Sequence, residues 1–278
     1  MKQEPYYSIA DLLQLMSHLR EPEYGCPWDL AQDYQSIAPS TLEEAYEVVD
    51  AIEQGDRQQL KEELGDLLFQ VVFYSQLGSE EGAFNFADIT SEITAKLLRR
   101  HPHVFPNGVL ESRINHKKNE DTNQESVKAS WENIKQTERI QKGHHSVLDD
   151  IPKVLPAVVR AAKLQKRASS IGFDWESSEG VYDKLAEELA ELKEAQLSNN
   201  RSAIEDELGD VLFTVVNLAR HLKINPEMAL RRANTKFEQR FRCMEKQAQA
   251  EHFVFAEEPK AALEVRWELA KRAVKDSI

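Results

Sequence analysis

Apolar residues recur along this chain at spacings of three and four, the period of one helix face. Ile9, Leu12, Leu13, Met16 and Leu19 set the pattern, and Pro22 closes it. A second helix is expected over 42–52, begun at Ser40-Thr41, with Thr41 and Glu44 in capping-box order and Gly55 near its end. A third is expected over 58–77, stopped by Gly78, and a fourth over 86–100, before His101-Pro102. The order then returns. Helices are predicted over 151–170, 181–197, 202–221 and 226–250, with Asn199-Asn200 as a turn signal. Pro226 suits a first helical turn, where its missing N–H costs nothing. Strand-like alternation is hard to find, and Gly and Pro number only 10 each. The fold class is all-α.

The return of the pattern is a duplication. Glu44, Glu47, Glu63 and Asp66 recur as Glu188, Glu191, Glu207 and Asp210, each 144 positions later. Leu64-Gly65-Asp66-Leu67-Leu68-Phe69 is echoed by Leu208-Gly209-Asp210-Val211-Leu212-Phe213. The domains are read as a first repeat over 1–105, a linker and helical tail over 106–146, and a second repeat over 147–278. Within the linker, 106–124 is polar and carries Asn107-Gly108, so a mobile loop is expected. Helix resumes over 127–142 with Trp131, and Gly143-His144-His145 ends it. Trp131-Glu132 is echoed by Trp267-Glu268 in a similar tail.

Composition narrows the partners. With 35 basic against 48 acidic residues the net charge is −13, which disfavours a nucleic-acid backbone or an anionic membrane. No stretch approaches a membrane span. Cys26 and Cys243 lie in different halves and form no disulfide framework. No signal peptide is read at the N-terminus. The cytoplasm is the expected location.

The repeated acids carry the chemistry. Residues i and i+3 share a helix face, so Glu188 pairs with Glu191 and Glu207 with Asp210. The two pairs stand on successive antiparallel helices at similar heights, so they can face each other. Leu208, Val211, Leu212, Val215, Val216 and Leu218 clothe the second helix almost all round, as in a buried bundle. Gly209, costly in a helix by about 1 kcal/mol, points to close helix approach or room for a ligand. Carboxylates converging in such a bundle would have raised pKa values, a conflict that a divalent cation removes. Oxygen ligands favour Mg²⁺ or Mn²⁺ over zinc. Glu-x-x-His, expected of a di-iron bundle, occurs nowhere in the chain. A lone Glu-x-x-Glu is more often a solvated face, and one structural cluster, once duplicated, would also repeat. Without a phosphate ligand, Lys184, Lys236 and Arg240 read as surface cations, Trp267 as a packing residue, and His101 and His103 as histidines in a packed turn.

Glu43-Glu44-x-x-Glu47 with Glu63-x-x-Asp66, and Glu187-Glu188-x-x-Glu191 with Glu207-x-x-Asp210, resemble the signature of the MazG family. Also similar are Gly25-Cys26-Pro27-Trp28-Asp29, Arg99-Arg100-His101-Pro102-His103-Val104-Phe105, Leu164-Gln165-Lys166-Arg167-Ala168 and Gly172-Phe173-Asp174-Trp175. The resemblance spans nearly the whole chain, in the two-repeat bacterial form. It implies two tandem helical-bundle repeats assembled as a homodimer. The implied activity is Mg²⁺-dependent hydrolysis of nucleoside triphosphates to monophosphate and pyrophosphate, with broad base tolerance, for nucleotide-pool housekeeping or stress response.

The resemblance also implies site residues. Glu188, Glu191, Glu207 and Asp210 would hold the metal and carry catalysis by attack of water on the α-phosphorus, with Glu187 or Glu188 as candidate base. Lys184, Glu187, Asp206, Lys236, Arg240 and Trp267 would bind substrate, the cations on phosphates and the indole on base or ribose. The second repeat is favoured because Ser40 stands where it has Lys184, although Lys96, Arg100 and Trp131 match Lys236, Arg240 and Trp267. Three other readings stay open: a regulator that binds nucleotide or metal without turnover, a helical scaffold, and a dUTPase-like enzyme for one noncanonical nucleotide.

Overall fold

The structure, a computed structural model, describes residues 6–114 and 123–275. Eleven α-helices occur among the described residues, and no strand. The chain divides into two compact units, with the boundary after Thr137.

The first unit is built around a helical hairpin. Helix α1 (Ile9–Leu19) and the short α2 (Pro27–Leu30) precede α3 (Tyr34–Gln54), α4 (Arg57–Glu80) and α5 (Phe86–Arg100). Helices α3 and α4 pack along their length, with α1 and α5 against α4. The core lies where α1 meets this pair, at Met16, Ile37, Val72, Phe73 and Leu77. Arg20 locks the corner. Its guanidinium donates to both carboxylate oxygens of Glu80 at 2.8 and 2.7 Å, and to the carbonyls of Asp29 and Gln32. It also lies 5.4 Å from the centre of the Phe73 ring. Each partner holds the other's charge: Glu80 is acidified first by Arg20, and Arg20 is made more basic first by Glu80.

Two helix boundaries of the first unit differ from the sequence expectation. The second helix begins at Tyr34, eight residues early, because Asp33 and Ser36 form the true capping box: Asp33 accepts from Ser36 N at 2.8 Å, and Ser36 Oγ accepts from Asp33 N at 2.9 Å. Pro39 inside it forfeits one backbone bond but lies on the exposed side. Thr41 is therefore no cap; its hydroxyl bonds Ile37 O at 3.3 Å and Tyr74 Oη at 2.8 Å, which ties α3 to α4. Gly78 does not end its helix either. It is buried inside α4, where a Cβ would come within 2.6 Å of the Phe84 ring.

Of the 106–124 stretch, 115–122 lies outside the described residues, and Leu110–Ser112 forms a 3₁₀ turn. Helix α6 (Gln124–Gln141) follows, and His101 packs edge-on to its Trp131 at 5.1 Å.

The second unit contains α7 (Ala157–Ser169), α8 (Ser178–Ser198), α9 (Arg201–His221), α10 (Pro226–Glu251) and α11 (Lys260–Lys275). Helix α7 starts six residues later than the periodicity suggests, because Pro152 and Pro156 keep the residues before them out of the α region. Helices α8 and α9 form the hairpin, α7 lies on α9, and α11 on α10. Asn199 in the left-handed region and Asn200 as N-cap turn the hairpin within two residues.

Helix α9 is not clothed all round. Leu208, Leu212 and Val215, one stripe at spacings of four and three, are 46%, 59% and 44% exposed. The unit covers only the opposite side of the helix, through Thr214, Val216 and Asn217. A Cβ on Gly209 would meet nothing within 4 Å, so within the chain this glycine serves no close approach and faces open space. No described helix is long and apolar enough to cross a membrane.

Candidate active site

The hairpin geometry joins acids that lie far apart in sequence. Glu188 on α8 meets Glu207 and Asp210 on α9, with one carboxylate oxygen from each within 4.8 Å of the others. Glu44 on α3 meets Glu63 and Asp66 on α4 in the same way. Glu188 is buried, Glu207 half-buried and Asp210 exposed, so the cluster opens to solvent at its α9 end. Oxygens around one Mg²⁺ lie about 3–4 Å apart, given metal–oxygen distances near 2.1 Å. The observed spread needs only small side-chain adjustments to reach this. The donor set is all oxygen, which suits a hard divalent cation.

The fourth acid of each quartet stands beside the three. Glu47 shares a hydrogen bond with Glu63, and its carboxyl is raised above the ordinary range by that bond first and the Glu63 charge next. Glu191 is exposed on α8 and is raised by desolvation first, with Glu188 and Glu207 adding to the rise against the opposing charge of Lys184. Glu44 is raised by burial first, then by Asp66 and Glu63.

The repeats differ in how this charge is met. Lys184, one turn before Glu188, bonds Glu187 Oε1 at 2.6 Å and Glu188 Oε1 at 2.8 Å. The bond to Glu187 leads in pushing the Lys184 ammonium well above its usual range. Ser40 takes its place in the first unit. The second cluster thus carries a cation bound to its most buried acid.

The remaining residues fall in two places. Glu187 and Asp206 are exposed on α8 and α9. Lys236, Arg240 and Trp267 lie on α10 and α11, where the Arg240 guanidinium sits 5.9 Å from the Trp267 ring centre and the indole packs on Phe237 at 5.3 Å. Lys236 is exposed. Arg240 Nε is buried with no hydrogen-bond partner among the described residues. This half-buried guanidinium, stacked and under-used, is suited to an anionic ligand.

One feature had only a motif as its signal. Leu164-Gln165 and Gly172-Phe173-Asp174-Trp175, with Phe213, Asn217 and Arg220 of α9, line a cavity of about 440 Å³. Asp174 at its rim accepts from Arg220 and His221, at 2.7 Å from Arg220 Nη1 and 3.0 Å from the imidazole Nε2. Its carboxyl is held low first by Arg220.

Comparison with known proteins places this geometry. The model of the MazG nucleotide pyrophosphohydrolase domain matches twice, at residues 32–105 and 176–243. Each match contains one acidic quartet. The chain is 48% identical over 266 residues to the nucleoside triphosphate pyrophosphohydrolase of Escherichia coli K12, covering 95% of this chain and 97% of that protein. It is 42% identical over 263 residues to the nucleoside triphosphate pyrophosphohydrolase/pyrophosphatase MazG of Thermotoga maritima, covering 95% of each. With two copies of the domain, and similarity that runs almost end to end, this chain belongs to the MazG family.

Proposed function

We propose that the chain is a nucleoside triphosphate pyrophosphohydrolase that works from its second unit, with Mg²⁺ or Mn²⁺ at Glu188, Glu191, Glu207 and Asp210. The carrying observation is the junction of Lys184 with the buried Glu188 inside the three-carboxylate cluster. A nucleotide site needs anionic ligands for a metal and cationic ones for phosphate, and here the two meet on one helix turn. Bound at the carboxylates, the cation would supply Lewis-acid neutralisation of phosphate charge and a nucleophilic water at neutral pH.

The chain's own residues supply the rest. The Glu188 carboxylate is oriented by Lys184. Glu187, exposed and held by the same ammonium, is placed to accept a proton from water attacking the α-phosphorus. Lys184 also offers positive charge to the departing pyrophosphate. Lys236 and Arg240 contribute phosphate contacts, and the Trp267 ring holds the Arg240 plane in position.

The bare stripe of Leu208, Leu212 and Val215 supports assembly as a homodimer, since contiguous exposed apolar surface marks an interface. The setting proposed is cytoplasmic, in nucleotide-pool housekeeping or stress response.

The test is product analysis. Eight common triphosphates, with oxidised and deaminated ones, are incubated with and without Mg²⁺. Monophosphate and pyrophosphate are expected from all, only with the metal. Diphosphate and orthophosphate would place attack at the γ-phosphorus. Metal binding without turnover would indicate a regulator, and turnover of one noncanonical nucleotide alone a dUTPase-like enzyme.

A further inference from the structure

We propose that the first unit holds a structural divalent cation of the Ca²⁺ kind, bound by Glu44, Glu63, Asp66 and the amide oxygen of Gln70, without a nucleotide. The reading above assigns metal and turnover to the second unit alone. The site proposed here lies in the other unit and does not depend on that reading.

An acidic cluster by itself marks no site, and the added observation is Gln70. Asp66, Gln70 and Tyr74 follow one another at intervals of four on α4 and so share a face. Opposite that face, Glu44 of α3 meets Asp66, and the Thr41 hydroxyl meets Tyr74 Oη at 2.8 Å. Gln70 therefore stands between the Thr41–Tyr74 bond and the acids. Helical side chains lean back over the preceding turn, which aims the Gln70 amide toward Asp66. The residue is 7% exposed, and its Oε1 is buried with no hydrogen-bond partner. An unpaired buried acceptor is costly, and a cation in the cluster would use it.

The charges around the two clusters point the same way. In the second unit Lys184 bonds Glu188 at 2.8 Å, and Thr214 occupies the place of Gln70. In the first unit Ser40 replaces the lysine, and no cation pairs with Glu44, Glu47, Glu63 or Asp66 among the described residues. Gln59 Nε2 reaches Glu63 Oε1 at 3.3 Å, a neutral donor that leaves the negative charge in place. One cluster has gained an ammonium, which suits a phosphate. The other has gained a carbonyl, which suits a metal and nothing anionic.

The kind of cation follows from the ligands. Mg²⁺ keeps several waters and is usually completed by substrate phosphates. Ca²⁺ takes about six to eight oxygens and readily accepts amide carbonyls among them. Three converging carboxylates, with Glu47 beside them and a neutral carbonyl one turn away, form a shell of the second type. An ion there would tie α3 to α4 at the acids, as the Thr41–Tyr74 bond does one turn further on.

The full chain carrying Glu207→Gln and Asp210→Asn, which strips two ligands from the second cluster, is titrated by calorimetry with CaCl₂ and with MgCl₂ in the absence of nucleotide. One Ca²⁺ should bind per chain, and more tightly than Mg²⁺. Adding Glu63→Gln should abolish that binding. Gln70→Met, close in shape, should weaken it by about tenfold, whereas Gln70→Glu, which restores an oxygen, should bind at least as tightly as Gln70. A packing residue would show no such rescue. Far-UV circular dichroism confirms folding; should Gln70→Met fail to fold, Gln70→Thr, the second unit's side chain, takes its place with the same loss expected. Absence of Ca²⁺ binding, tighter binding of Mg²⁺, an affinity unmoved by the folded Met or Thr variant, or an equal loss in Gln70→Glu overturns the proposal. Pyrophosphate release by the wild type is measured separately; its absence would overturn the pyrophosphohydrolase reading and leave this site standing.

Discussion

Neutralising one acid of the second cluster should change stability in opposite directions with and without metal. The perturbation is Glu207→Gln, which keeps shape and removes one charge. Glu207 has a carboxylate oxygen within 4.8 Å of both Glu188 and Asp210. At that separation each pair of charges repels by about 1 kcal/mol in water and about 3.5 kcal/mol at an effective dielectric near 20. The cluster opens to solvent at Asp210, so the lower value applies, and the two relieved pairs sum to about 1–2 kcal/mol. Without metal, the second unit of the variant should melt about 3–6 °C higher than wild type, on the usual scaling for a unit of this size. Mn²⁺ at a hundredfold excess over its dissociation constant should add about 2.7 kcal/mol to the wild type, whereas the variant, short of a ligand, gains little. The order of melting temperatures therefore reverses. The assay is circular dichroism melting in EDTA and in MnCl₂, beside pyrophosphate release, which the variant should lose. A variant less stable than wild type in EDTA, or one that gains as much from Mn²⁺, would refute cation binding by converging carboxylates.

Metal-free stability should also respond to pH. Glu44, Glu47 and Glu191 have folded carboxyls above the ordinary range, so the folded state binds more protons than the unfolded state just above that range. Stability then rises as pH falls from neutral toward about 4.5, and falls below it as Glu80 and Asp174, whose folded values are depressed, lose their charge; melts across pH in EDTA check the maximum, which Mg²⁺ should flatten. Arg20→Met removes the bonds to Glu80 and to two carbonyls and should destabilise the first unit by about 3 kcal/mol, read by denaturant melts; a loss under about 1 kcal/mol would refute the lock. Gly180→Ala sets a Cβ 2.5 Å from Trp175 Cδ1 and should displace that indole, read as a shift in tryptophan emission and a lower melting temperature; unchanged emission and melting would refute the contact.

The acids were legible in the sequence because a helix converts spacing into direction. Two Glu/Asp-x-x-Glu/Asp pairs separated by one turn can meet only by hairpin closure, and they do. The start of α3 was misread because Thr41–Glu44 and Asp33–Ser36 are both chemically plausible caps. Only the fold decides, by giving the Thr41 hydroxyl to Tyr74. The apolar run on α9 reads as a buried helix under any single-chain rule. Sequence records that a side chain is apolar, not whether its cover comes from the same chain. The Gln165 amide was invisible for another reason: it bonds Phe213 across 48 positions, and nothing in its identity announces that its Oε1 lacks a partner.

The duplication makes these differences interpretable, because each unit is a control for the other. Both keep the three-carboxylate junction and the bare leucines, Leu64 and Leu68 on α4 against Leu208 and Leu212 on α9. Those features follow from the hairpin and its outer face, and selection for assembly alone would preserve them. What separates the units lies on the inner face of the same helices. Lys184 replaces Ser40 beside the buried acid, and Asn217 replaces Phe73 beside the cavity. A phenylalanine fills a core better than an amide does, and a lysine one turn before Glu188 offsets the charge of a buried acid. Both substitutions favour ligand over packing, and both fall in the second unit. A unit retained only for structure drifts toward the first pattern, with its ring buried and its acids uncompensated. The second pattern is the one that turnover would hold in place.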